Sequence, residues 1–228
     1  VVSTLGTVEL EELAQASSEQ HWFQLYFQEN REFTLSLVKR AEAAGYSKLV
    51  VTVDAPLHGI RNRAQRAGFV LPEGIEAVNL KNRPALPRKI LDPSESVVLQ
   101  GMMSEAPTWE DIQWLLEQTS LPVILKGILH PDDARIAKEM GVAGVVISNH
   151  GGRTLDCVPS ALDMLPEVRK AVGRDYPILL DGGVQRGTDI FKALALGANA
   201  VMIGRPQIYA LAVAGALGVA SMLRILRE

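Results

Sequence analysis

The sequence predicts an α/β fold of parallel strands alternating with helices, and three observations predict it. Short β-branched runs recur along the chain, each followed by a few glycine or polar residues and then an amphipathic segment; such alternation implies a parallel sheet. Most of the runs are continuously apolar, as strands buried on both faces are. Polar residues then close nearly every run: Ser3, Gln24 and Tyr26, Thr52 and Asp54, Lys126, Ser148 and His150, Asp181, and Arg205. An open dinucleotide-binding sheet should carry G-x-G-x-x-G after an early strand, and that pattern is absent. Polar side chains gathered from so many strand ends fit instead the active face of a TIM (β/α)8 barrel.

The strand candidates, in order, are Val1–Thr4, Trp22–Phe27, Leu49–Val53, Val123–Lys126, Gly144–Ser148, Ile178–Leu180 and Ala200–Ile203. Helical stripes lie between them. Phe33, Leu37, Ala41 and Ala44 form the first, which stops at Gly45. Trp109, Ile112, Leu115 and Leu116 form the second, after Pro107-Thr108. Ala134, Ala137 and Met140 form a third, Leu162, Leu165 and Val168 a fourth, and Ile190, Phe191, Leu194 and Leu196 a fifth. Residues 57–105 break the rhythm. They hold Pro72, Pro84, Pro87 and Pro93, with Lys81, Arg83, Arg88 and Lys89, and read as an irregular lid-like insertion over the barrel mouth.

Composition bounds the function. The 228 residues fit one large α/β domain over 1–228. Lys and Arg number 23 against 26 Asp and Glu, so no basic field exists to hold a nucleic-acid backbone. One cysteine, Cys157, excludes an internal disulfide framework and argues against a Cys-based zinc site. No pair among the four histidines has zinc-ligand spacing, so no metal is expected. The longest apolar stretch, Ala210–Leu223, is too short to span a bilayer, and no transmembrane segment is expected.

Two strings carry the chemistry. In the first, Val145-Val146-Ile147-Ser148-Asn149-His150-Gly151-Gly152-Arg153, a buried run ends in a histidine with an arginine three residues on. A histidine at a barrel mouth can serve as general base, and an arginine fork fits a carboxylate. The competing reading is a loop histidine bonded to carbonyls and an arginine paired with Asp156. In the second, Asp181-Gly182-Gly183-Val184-Gln185-Arg186-Gly187 is followed after the next run by Gly204-Arg205-Pro206. Glycine-loop N–H groups with a cation make a phosphate cradle where barrels build theirs; two ordinary turns are the competing reading. Thr52-Val53-Asp54 places a carboxylate that could orient a histidine. Gln24 and Tyr26 share one face of their strand. Lys126 at a strand end suits an anion or a developing negative charge.

Together these strings resemble the FMN-dependent 2-hydroxy acid oxidase/dehydrogenase family, whose members include glycolate oxidase, lactate oxidase and dehydrogenase, and mandelate dehydrogenase. The resemblance rests on S-N-H-G-G-R, L-D-G-G-V-Q-R-G-T-D and I-G-R-P, supported by F-Q-L-Y and T-V-D-A-P in order. It implies that His150 is the catalytic base and Asp54 its orienting carboxylate. Arg153 would clamp the substrate carboxylate, Tyr26 would contact the hydroxyl or keto oxygen, and Arg61 would be a second substrate-side arginine. Ser3, Gln24 and Thr52 would contact the flavin ring, Lys126 its N1/O2 edge, and Ser148 the cofactor. Asp181, Gly182, Gly183, Arg186, Gly204 and Arg205 would hold the ribityl and phosphate segment.

The reaction implied is oxidation of a small L-2-hydroxy acid to the 2-keto acid, with electrons passing from flavin to oxygen or to a quinone or cytochrome. The resemblance further implies a homo-oligomer, such as a tetramer, in the cytoplasm, with peroxisomal or peripheral membrane placement as alternatives. The chain departs from the family pattern after Pro56, where Leu57-His58-Gly59-Ile60-Arg61 stands in place of an early arginine. Seven strand candidates against eight lead to the expectation of an incomplete barrel. The first strand would be missing and the last helix cut, so this piece alone would bind FMN weakly or not at all. An inactive remnant and another phosphate-binding barrel enzyme, such as an isomerase, are the alternatives; the second leaves His150 and Arg153 unexplained.

Overall fold

The computed structural model describes residues 1–16, 18–56, 61–85, 90–103 and 106–228. Its contacts divide the chain into two compact units, Val1–Ile124 and Leu125–Glu228. Leu57, His58, Gly59 and Ile60, and Pro87, Arg88 and Lys89, lie outside the described residues.

In the first unit β1 (Val2–Ser3), β2 (Trp22–Leu25) and β3 (Lys48–Thr52) alternate with α1 (Leu10–Gln15) and α2 (Arg31–Ala43). The strands pair in parallel, with Ser3 beside Gln24 and Gln24 beside Val50. Phe23, Leu25, Leu49, Val50 and Val51 are buried, as continuous apolar runs require. Asn30 starts α2 by accepting the Phe33 N–H at 2.7 Å, and Leu37, Val38 and Ala41 turn inward as the sequence stripe predicts. The Leu49 N–H donates to the Pro122 carbonyl at 3.0 Å, which fixes the start of β4 (Val123–Ile128) beside β3. A bidentate ion pair from Arg40 to Glu11 and the Tyr46 hydroxyl on the Leu10 carbonyl at 2.8 Å hold α1 against this layer.

The insertion is less irregular than its sequence suggests. It contains α3 (Asn62–Arg66), a 3₁₀ turn at Val78–Leu80 and a π-helical turn at Val97–Met102. Asn79 is buried and accepts the Leu10 N–H at 3.2 Å, tying the insertion to α1. α4 (Trp109–Gln118) follows, its start fixed by the Thr108 N–H on the Asp111 carboxylate at 2.8 Å.

In the second unit β4 continues, followed by α5 (Pro131–Glu139), β5 (Gly144–Ile147), α6 (Ala161–Val172), β6 (Ile178–Leu180), α7 (Gly187–Ala195), β7 (Ala200–Val201) and α8 (Arg205–Arg227). β5–β6 and β6–β7 pair in parallel, and the Ser148 N–H reaches the Ile128 carbonyl of β4 at 3.3 Å. His130, which precedes Pro131, caps α5 by accepting the Asp132 N–H at 3.2 Å. Arg169 on α6 is a staple. Its guanidinium donates to the carbonyls of Gly173, Arg174, Tyr176 and Gly197 and to the Asn199 amide oxygen. Burial pushes the Tyr176 phenol up to about 12, and its hydroxyl is bonded to the Val142 carbonyl.

Two sequence readings need correction here. The α7 stripe does not face inward: Phe191 is 73% exposed and Leu194 and Leu196 are exposed, while Ala193 is the buried residue. The periodic large residues mark one face, but the helix packs through its small residue, which allows closer approach. The apolar stretch Ala210–Leu223 belongs to the longer α8, which by length and composition alone could cross a membrane. Its backbone leaves the helical region at Ala214 and Gly215.

Candidate active site

Each unit carries a row of three polar side chains across the C-terminal ends of its strands. In the first unit the Ser3 hydroxyl donates to the Gln24 amide oxygen at 3.1 Å, and the Gln24 amide nitrogen donates to the Thr52 hydroxyl at 3.0 Å. The parallel register makes this row, because it sets Ser3, Gln24 and the end of β3 side by side. Gln24 and Thr52 are buried, so their hydrogen bonds are needed to offset desolvation. Thr4 supports the row: its hydroxyl donates to the Gln24 carbonyl at 2.6 Å and accepts the Tyr26 N–H at 3.2 Å. Every member is neutral. Tyr26, Asp54 and Arg61 also belong to this unit and are each half-buried.

The second unit has a charged row. The Lys126 ammonium lies 3.1 Å from the Asp181 carboxylate and donates to the Ser148 hydroxyl at 3.0 Å. The Ser148 hydroxyl donates to the other Asp181 oxygen at 2.5 Å. The Lys126 and Asp181 side chains are 13% and 17% exposed, which makes their attraction stronger than a surface pair's. Ser148 is fully buried, and its hydroxyl also accepts the His150 N–H at 3.0 Å. His150 itself has φ +55, a left-handed conformation that costs a non-glycine residue roughly 1–2 kcal/mol.

A cavity of about 630 Å³ opens above this row within the second unit. Lys126, His150, Arg153, Asp181, Gly182, Gly183, Gly204 and Arg205 line it, all of them named from sequence. Gly151 lines it too, at φ +67, and a Cβ there would lie 2.9 Å from the Arg205 guanidinium, which donates to the Gly151 carbonyl at 3.0 Å. Gly182, at φ +106, would set a Cβ 3.2 Å from the Asn149 side chain. Both glycines therefore serve close approach as well as turning.

Some placements differ from the sequence reading. Arg186 is not part of the lining; it sits at the N-cap of α7, where its N–H donates to Asp189 at 3.0 Å. Ser148 lies beneath the cavity, not on its wall. Val184, Gln185 and Pro206 line the cavity from within the two glycine strings, and Met202, Ile208 and Tyr209 line it and were missed. Tyr209 stands one helical turn after Arg205, and that i, i+4 spacing was a signal that could have found it.

The donor set suits FMN. α8 starts at Gly204-Arg205-Pro206 without a side-chain cap; Pro206 has no N–H and the Gln207 N–H donates to the Gly204 carbonyl at 3.1 Å, so this end offers an anion such as a phosphate the Arg205 guanidinium and the positive end of the helix dipole. The Gly182-Gly183 turn lines the same cavity. Lys126 adds a second cation for a charge that develops on a ring.

The family described as FMN-dependent dehydrogenase matches residues 1–228. An L-lactate oxidase of Alicycliphilus denitrificans is 53% identical over 228 residues, covering 100% of this chain and 62% of that protein. Glycolate oxidase 3 of Arabidopsis thaliana is 44% identical over 231 residues, again covering 100% of this chain and 62% of its own length. Among solved structures, mandelate oxidase with (S)-2-phenylpropionate superposes with a TM-score of 0.85 at 43% identity, covering 100% of this chain and 61% of that one. A mandelate oxidase variant with the C4a-OH-FMN adduct gives a TM-score of 0.84 at 42% identity, over 99% of this chain and 62% of that one. The chain thus spans about three fifths of the length of the curated relatives it matches.

Proposed function

This chain belongs to the FMN-dependent dehydrogenase family, and from that premise we propose that its protein oxidises a small L-2-hydroxy acid to the 2-keto acid. One observation carries the proposal: a single cavity in the second unit is lined by a histidine, two arginines, a lysine and two glycine turns. An isomerase-type phosphate barrel would use the glycine turns and Arg205 but leave His150 and Arg153 without a task.

Bound FMN would supply a two-electron acceptor. Arg153 binds the substrate carboxylate in its guanidinium fork and so presents the hydroxyl-bearing carbon in one orientation. His150 takes the proton that oxidation must remove, a role contributing roughly 10²–10⁴-fold to rate. Lys126 favours the negative charge that a reduced flavin carries. Gly182, Gly183, Gly204 and Arg205 hold the phosphate. Ser3, Gln24 and Thr52 offer a neutral set of donors and acceptors to a flavin edge. Tyr26, Asp54 and Arg61 keep the tasks the resemblance assigns: the contact to the hydroxyl or keto oxygen, the orienting carboxylate and the second substrate-side guanidinium. Relatives named as oxidases support oxygen as the electron acceptor.

The test is anaerobic mixing of the FMN-loaded full protein with L-lactate, glycolate and mandelate in turn. The yellow colour should bleach with at least one acid and return when oxygen is admitted. Return only on adding a quinone or cytochrome c would make the protein a dehydrogenase. A folded, FMN-loaded protein that no 2-hydroxy acid bleaches would sink the proposal. His150→Asn should keep FMN and bleach at least about a hundredfold more slowly.

A further inference from the structure

We infer that Asn79, in the insertion, is a positioning residue: it holds the Ser3–Gly6 turn and so sets the Ser3 hydroxyl at the end of the neutral row. The inference deepens the proposed function and rests on its reading of Ser3 as a flavin-edge contact.

Asn79 sits in the 3₁₀ turn Val78–Leu80 and is 1% exposed. Its side-chain oxygen accepts the Leu10 N–H at 3.2 Å and the Arg40 guanidinium at 3.2 Å. Leu10 opens α1, and Glu9 before it makes no side-chain cap. From 69 residues further along the chain, Asn79 supplies the acceptor that a buried helix start needs. Arg40 also grips Glu11, the next residue of α1, through two bonds. The Asn79 amide nitrogen meets no acceptor among the described residues, so the residue's task lies in its oxygen.

The neighbouring residue completes the hold. The Val78 N–H donates to the Gly6 carbonyl at 3.2 Å. The insertion thus fastens the segment between β1 and α1 at two points, Gly6 and Leu10. The Gly6 N–H donates to the Ser3 carbonyl at 3.0 Å and closes a turn over Ser3–Gly6. Within it the Leu5 N–H donates to the Ser3 hydroxyl at 3.1 Å, the same hydroxyl that donates to Gln24. Ser3 needs this support more than its row partners do. Gln24 and Thr52 are buried in longer strands, whereas Ser3 is exposed at the end of a two-residue strand. Thr4 anchors the turn from the sheet side, and Asn79 with Val78 anchors it from the insertion side. Every one of these bonds lies within the first unit.

Asn79→Leu keeps the approximate shape and removes the acceptor, and Asn79→Asp keeps the acceptor. In the full protein as purified, amide hydrogen exchange at Leu10 and Gly6 should quicken about tenfold in Asn79→Leu and stay near wild type in Asn79→Asp. The amides of β2 should keep their rates in both. Asn79→Leu should also raise the dissociation constant of FMN about tenfold, with Asn79→Asp restoring it. A double variant separates positioning from general weakening. Because Asn79 acts through Ser3, adding Asn79→Leu to Ser3→Ala should weaken FMN binding by less than about threefold. Full additivity, unchanged Gly6 exchange in folded Asn79→Leu protein, or failure of aspartate to restore it would overturn the inference. Asn79→Ala carries the same expectations should Asn79→Leu not fold. If Ser3→Ala alone leaves FMN binding unchanged, the flavin-edge reading of Ser3 falls, while Gly6 exchange still decides whether Asn79 holds the turn.

Discussion

The two polar rows are built alike and differ in kind. Each crosses three strands, and in each the central side chain hydrogen-bonds to both neighbours. Yet Ser3–Gln24–Thr52 is neutral throughout, while Lys126–Ser148–Asp181 is a charged pair bridged by a hydroxyl. A neutral row recognises: losing one member leaves unpaired hydrogen-bonding atoms, a modest penalty. A charged row responds to charge: losing one member leaves a part-buried ion alone, a larger one. The same parallel strands thus present two chemistries, selected by which residue types close each strand.

The sharpest way to break this contrast is Lys126→Met. Leaving Asp181 without its cation should destabilise by roughly 3 kcal/mol, read by denaturant unfolding. Adding Asp181→Leu should recover most of that stability without restoring FMN affinity. The matching change in the neutral row, Gln24→Leu, should cost less, about 1–2 kcal/mol, since only hydrogen bonds are lost. A larger loss from Gln24→Leu than from Lys126→Met would invert the account.

Gly151→Ala sharpens the second unit's side of the comparison. It places a Cβ in a left-handed conformation and against a flexible guanidinium that can shift. Stability should fall by about 1 kcal/mol, and FMN binding should weaken more than stability does, because Arg205 is pushed from the carbonyl it bonds.

The smallest effect belongs to the first unit's exposed ion pair. A hydrogen bond from Arg40 holds the Glu11 carboxyl below the usual range. A carboxyl lowered in the folded state adds stability above its unfolded pKa and loses it as pH falls through the folded pKa. Both side chains are more than a third exposed, so solvent screens the contribution. Wild type should therefore melt slightly above Glu11→Gln at neutral pH, with the gap closing in acid. A gap that widens in acid would contradict the sign.

Much of the fold was legible because parallel strands buried on both faces write themselves as apolar runs: all seven strand candidates overlap a strand in the structure. Ends were less legible, since β2 stops at Leu25 before Tyr26-Phe27 and β7 at Val201 before Met202-Ile203, inside runs that remain largely apolar. The α7 stripe misled because periodicity weights large side chains, whereas packing there selects Ala193. Within the site, His150, Arg153, Lys126 and the glycine turns stood at strand ends where sequence shows them. Ile208 did not, lying in a helix whose apolar residues look like core, and Tyr209 could be found only through its spacing from Arg205. The bonds of Ser148 to Lys126 and Asp181 could not be read at all, because those partners come from two other strands.

The division of labour between the rows is tested most directly by the reduction potential of bound FMN in Lys126→Met and Gln24→Leu proteins. The potential should be lower in Lys126→Met, where a cation that favours reduced flavin is gone, and near-unchanged with weaker binding in Gln24→Leu. Equal shifts in both, or a shift confined to Gln24→Leu, would contradict it.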